Sequence, residues 1–148
     1  MRYILVFVCL LISSCTQVVS KPKLIAEGQS HSYVLILREK AFQPHYLDAY
    51  FGVGNKFFVI LQNNQYAKFK MDSGLQELQI KSKASPASNL SLELVSNSTT
   101  CVKIIPNSAK LGVYAIPWSG YFIPSFNLKY IACPDNELLN GFTFVPIS

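Results

Sequence analysis

Apolar and polar positions alternate with period two along much of this chain, and short clusters of turn residues interrupt the alternation. In "YAKFKM", residues 66–71, Ala67, Phe69 and Met71 face one way and Lys68 and Lys70 the other, which predicts a strand with one buried face. "LQELQIK" (75–81) sets Leu78 and Ile80 against Glu77, Gln79 and Lys81, and "LSLELV" (90–95) aligns Leu90, Leu92 and Leu94. Two runs, "SYVLIL" (32–37) and "KFFVIL" (56–61), are apolar almost throughout and predict strands covered on both faces. Between them, residues 39–54 hold Pro44, Gly52 and Gly54 and read as a loop with one irregular strand. "DSG" (72–74) predicts a hairpin turn between its flanking strands. "SKASPASN" (82–89) and "SNST" (96–99) are loops, and "TCVKII" (100–105) and "FNLKYIAC" (126–133) add strands. "PDNELLNG" (134–141) predicts a short helical turn with Asp135 as N-cap and Gly141 as stop, followed by a last strand in "FTFVP". The expectation is an all-β fold, a small antiparallel β-sandwich with one helical turn near the C-terminus.

The amino end breaks this pattern. Met1-Arg2 is followed by ten uncharged residues, 3–12, and then by Ser13-Ser14-Cys15. A charged start, an apolar core and small residues at the end form a secretory signal. A helix needs about 20 apolar residues to span a bilayer, so this run is too short to stay as one. Ile12-Ser13-Ser14-Cys15 resembles the lipobox of bacterial lipoproteins. The resemblance implies a diacylglycerol on the Cys15 thiol, palmitate-type acylation and cleavage between Ser14 and Cys15. The alternative is an ordinary signal cut nearby. The expected organisation is a signal peptide (1–14), a lipid-anchored tether (15–30) and a β-sandwich domain (31–148). Thr16, where an Asp would retain lipoproteins at the inner membrane, favours the outer membrane facing the periplasm.

Composition narrows the classes. Charged residues make up 14% of the chain and apolar ones 50%, which excludes a disordered polyelectrolyte. The formal charge of +5 is carried by scattered lysines, with no basic and aromatic stripe of the kind that binds nucleic acid. Cys9 lies in the leader and Cys15 in the lipobox, leaving Cys101 and Cys133. Cys101 shares strand parity with Lys103, and Cys133 with Asn127 and Lys129, so both fall on the more polar side of their strands. They are candidates for a disulfide in an oxidising compartment, the alternative being two half-buried thiols.

Catalytic signatures do not stand out. The chain has no nucleotide-binding loop, zinc helix or serine-hydrolase elbow. His45 and Asp48 stand three apart, and Cys101 and Cys133 offer soft ligands, but the spacing fits no known metal pattern. No metal or cofactor is expected beyond the covalent lipid on Cys15. The unusual segment is 114–130, with six aromatic residues and two prolines. Its Trp118, Tyr121 and Phe122 form a candidate contact loop for a glycan, a protein or the lipid interface. The alternative is a loop that folds its rings over one end of the sandwich. Asn89-Leu90-Ser91 and Asn97-Ser98-Thr99 fit the glycosylation acceptor pattern and would favour a secreted eukaryotic glycoprotein if the lipobox were coincidental.

Beyond the leader, the order of features resembles a family of uncharacterised bacterial envelope lipoproteins with a small prealbumin-like β-sandwich. "YVLILRE", "YAKFKMDSGLQELQIK" and "LSLELVSNSTTCVKI" carry the resemblance across residues 30–133. The chain departs from it in "LQNNQ", where a glycine hairpin is usual, and at Asn97 or Ser98, where a turn glycine is usual. The resemblance implies a fold and an envelope setting and carries over no catalytic residue. The expected function is a lipid-anchored, non-catalytic binding or interaction module with an envelope protein or glycan as partner. An envelope hydrolase with unidentified catalytic residues is the alternative.

Overall fold

A computed structural model describes residues 30–40, 47–83, 85–109 and 122–147. Ser14, Cys15, the tether apart from its last residue, Trp118 and Tyr121 lie outside these residues. Nine strands and one helical turn are described: β1 (His31–Arg38), β2 (Ala49–Val53), β3 (Lys56–Leu61), β4 (Gln65–Asp72), β5 (Gly74–Lys81), β6 (Ser88–Leu94), β7 (Thr99–Pro106), β8 (Phe126–Ile131), α1 (Asn136–Leu139) and β9 (Thr143–Phe144). They form two sheets, a five-stranded one in the order β8-β7-β1-β4-β9 and a four-stranded one in the order β3-β2-β5-β6. The fold is an all-β sandwich.

The alternation in the sequence becomes the core between the sheets. Val34, Ile36, Ala67, Phe69, Val102 and Phe126 point inward from the five-stranded sheet. Phe51, Val59, Leu61, Leu78, Ile80 and Leu94 meet them from the other. Three rings bridge the layers: Phe51 and Phe58 from one sheet lie 5.6 and 5.2 Å from Phe69 of the other. Burial of such side chains contributes roughly 1.5–3 kcal/mol each, and the tilted and edge-on ring contacts add about 0.5–1.5 kcal/mol.

Three expectations are corrected. The sandwich is mixed rather than purely antiparallel, because β7 pairs parallel to β1. The chain leaves β6 through Asn97, whose amide donates to the His31 carbonyl at 2.7 Å, and so enters the sheet beside β1 running in the same direction. The "DSG" segment is not a hairpin: β4 and β5 belong to different sheets, and the chain turns the corner through Ser73 and Gly74, the latter at φ 106°. The one irregular strand expected within 39–54 is present as β2, which lies between β3 and β5 and carries a bulge between Phe51 and Gly52. "KFFVIL" is an edge strand rather than one buried on both sides, and its Lys56 and Ile60 are exposed.

"SYVLIL" behaves as the pattern predicts. β1 lies between β4 and β7, and residues 34–37 are buried whichever face they take. The inner residues meet the main core. The outer ones are covered by the chain that follows β8, which crosses from that edge of the sheet to β9 at the opposite edge.

Candidate functional site

Two places on the five-stranded sheet gather polar or reactive side chains, one at each end of β1. At the C-terminal end, Arg38 turns inward and is only 2% exposed. Its Nη1 donates to the carbonyls of Leu47 (2.6 Å) and Leu61 (2.8 Å), and its guanidinium lies 4.7 Å above the Phe126 ring. Loss of hydration lowers its pKa from the ordinary arginine value, while the charge of Asp48 acts in the opposite sense. The cation thus joins β1 of one sheet to the end of β3 in the other. Asp48, half of the His45–Asp48 pair, accepts a hydrogen bond from Gln62 at 3.2 Å; His45 lies outside the described residues.

A second polar cluster sits near this end. Ser82 and Ser125 are both 1% exposed, with hydroxyls 3.0 Å apart, and Ser82 also donates to Ser85 at 3.0 Å. Ser125 and Phe126 lead into β8, so the trio fastens the β5–β6 connection of one sheet to the start of an edge strand in the other. Hydroxyls that donate to one another satisfy buried polar groups, and this is structural chemistry.

The outer side of β1 is different. Here Tyr33 is flanked by Lys68 Nζ at 5.1 Å and Lys70 Nζ at 5.7 Å, and the His31 ring meets it edge-on at 5.7 Å. The register explains the cluster, because Tyr33 pairs with Lys70 and Leu35 with Lys68 on the same face. Further along, Lys103 bonds Glu39 at 2.6 Å. Cationic side chains over a half-buried ring can contact anionic or polar partners without any covalent step.

Next to Tyr33 the outer face becomes apolar. Leu35, Leu37 and Cys101 form a second cluster, covered by Tyr66, Ile131, Leu139 and Phe142. Cys101 is bonded to Cys133 in a disulfide with 5.1 Å between Cα atoms. The two cysteines considered as soft metal ligands are therefore consumed by each other. The parity placing Cys101 beside Lys103 holds, yet the sulfur is fully buried, because that side of the strand is roofed rather than open. Of the candidate contact loop only Phe122 is described, and it is 81% exposed. Among the described residues no group of three His, Cys, Asp or Glu side chains is placed to hold a metal ion.

Sequence reasoning missed Arg38 and the Tyr33 cluster. The signal for the first was an arginine ending an apolar run, and for the second a tyrosine in register with a lysine-bearing strand. No protein-family model matches the chain, and neither a curated protein nor a solved structure matches it.

Proposed function

We propose that this protein is a bacterial envelope lipoprotein, held in the membrane by lipid on Cys15, whose β-sandwich is a non-catalytic binding module. The observation that carries this reading is the leader: Arg2, ten uncharged residues and Ile12-Ser13-Ser14-Cys15 in sequence. Acyl chains contribute about 0.8 kcal/mol per buried CH₂, so two or three of them would anchor a domain in which, among the described residues, no helix is long and apolar enough to cross a membrane. Thr16 favours the outer membrane, with the sandwich in the periplasm. The partner is an envelope protein or a glycan. Support for a binding role comes from the exposed Phe122 ring and from Tyr33 between its lysines, groups suited to non-covalent contact.

The anchor is tested by feeding labelled palmitate to bacteria that express the whole chain. Label enters the native protein and not Cys15→Ser. Equal labelling of the two, or an unacylated product starting elsewhere than Cys15, removes the anchor. The binding role is tested by crosslinking in intact envelopes followed by mass spectrometry. One reproducible partner captured by native protein supports the module, and capture of none argues against it.

A further inference from the structure

We propose that residues 132–142 form a flap over the outer face of β1, and that the Cys101–Cys133 disulfide is a latch that a dithiol reductant opens. The latch rests on the disulfide and the packing around it, and is independent of the acyl anchor.

The flap is weakly built except for its sulfur link. α1 is a single turn of four residues, none of them buried, and Leu138 is 56% exposed. A helix this short has no stability of its own. Asp135 caps it by accepting from the Leu138 amide at 3.1 Å. Only Leu139 and Phe142 reach down to Leu35, Leu37 and Cys101. Beyond the flap the chain is secured, since Thr143 donates to the Asn64 carbonyl and Val145 to the Tyr66 carbonyl, both at 2.8 Å. Val145 and Ile147 also pack on the main core. The segment is therefore hinged at β8 and β9, tied by one covalent bond at Cys133 near its β8 end and held toward its β9 end by the half-buried Leu139 and Phe142.

The two cysteines differ in access. Cys133 is exposed, whereas Cys101 is fully buried. A thiolate of an incoming dithiol can reach Cys133 Sγ but not Cys101 Sγ. Attack forms a mixed disulfide on Cys133, and Cys101 departs as a thiolate that takes up a proton. The second thiol of the reductant then displaces Cys133, which leaves as a thiol. The reductant ends as its own disulfide, and the protein has gained two electrons and two protons. With the bond gone, the flap lifts and bares Leu35 and Leu37.

Dithiothreitol added to the folded, full-length chain tests this through two readouts. A bulky maleimide labels both cysteines under native conditions, because Cys101 becomes reachable once the flap lifts. In parallel, the Leu139, Asn140 and Phe142 amides lose hydrogen-exchange protection at least tenfold more than those of Leu35 and Val102. The double variant Cys101→Ala/Cys133→Ala shows the same local loss without reductant. Labelling of Cys133 alone, equal loss of protection throughout both sheets, or a double variant as protected in the flap as the native chain would each overturn the proposal.

Discussion

Gly52 sits where no other residue fits. The pairing of β2 with β3 slips between Phe51 and Gly52, so that Phe57 lies opposite Gly52 and Phe58 is the extra residue of a bulge. A methyl group on Gly52 would come within 2.8 Å of Phe57 Cα and closer still to the Lys56 carbonyl oxygen. Both obstacles are backbone, which cannot rotate aside. Gly52→Ala is expected to lower stability by about 3 kcal/mol, at the upper end for overpacking. Gly54→Ala has open space around it, at φ 51°, and is expected to cost about 1 kcal/mol from backbone strain alone. Urea unfolding of the two variants checks the ranking. Arg38 is a second residue whose role is set by its surroundings. Replacing it with Met removes a desolvated charge but orphans the Leu47 and Leu61 carbonyls, at about 1–3 kcal/mol each. Net destabilisation is therefore expected, read as a lower urea midpoint.

At the scale of elements, the turns that carry the chain from one sheet to the other decide the topology. Asn64 (φ 57°) precedes β4 and Asn97 (φ 56°) precedes β7, each in the left-handed region that asparagine tolerates better than most residues. Asn97→Gly is thus expected to leave stability within a few tenths of a kcal/mol, and Asn97→Val to lower it by about 1–2 kcal/mol. Thermal melts of the two variants measure the difference. The strands themselves were legible, since Ala67, Phe69 and Met71 read inward from their spacing and are buried. The pairing was not. A corner of one or two residues between sheets uses the same Asp, Ser and Gly as a hairpin, so "DSG" could not reveal that β4 and β5 part company. "KFFVIL" misled for a different reason. Its unbroken apolar run comes from the bulge, which buries both Phe58 and Val59, and not from cover on two sides. β2 is the irregular strand that the sequence predicts, and its irregularity is the bulge that Gly52 permits.

For the whole molecule, the two unbroken apolar runs had opposite meanings, and only distant chain could tell them apart. β1 is roofed by residues that follow it by about a hundred positions, a contact that no local pattern encodes. The cysteine parity came close, because it placed Cys101 on the outer face but left open what lies above. The Tyr33 cluster was equally hidden: His31 shares its strand face, but Lys68 and Lys70 reach it only through strand pairing. The proposed leader would be the reverse case, since a lipobox is read from residues in sequence order and not from how the domain folds.

The parallel pairing of β1 with β7 has a temporal side. Ser32 donates to the carbonyl of Ser98, 66 residues later, and Tyr33 to Leu37 find their partners in the stretch that follows. Every polypeptide leaves the ribosome amino end first, so β1 emerges long before the strand that completes it. Until then one of its borders displays bare amides and carbonyls beside a nearly unbroken apolar run. A nascent chain halted before Thr99 would be expected to stick to its neighbours, and helper proteins that shield hydrophobic segments should be needed most during that interval.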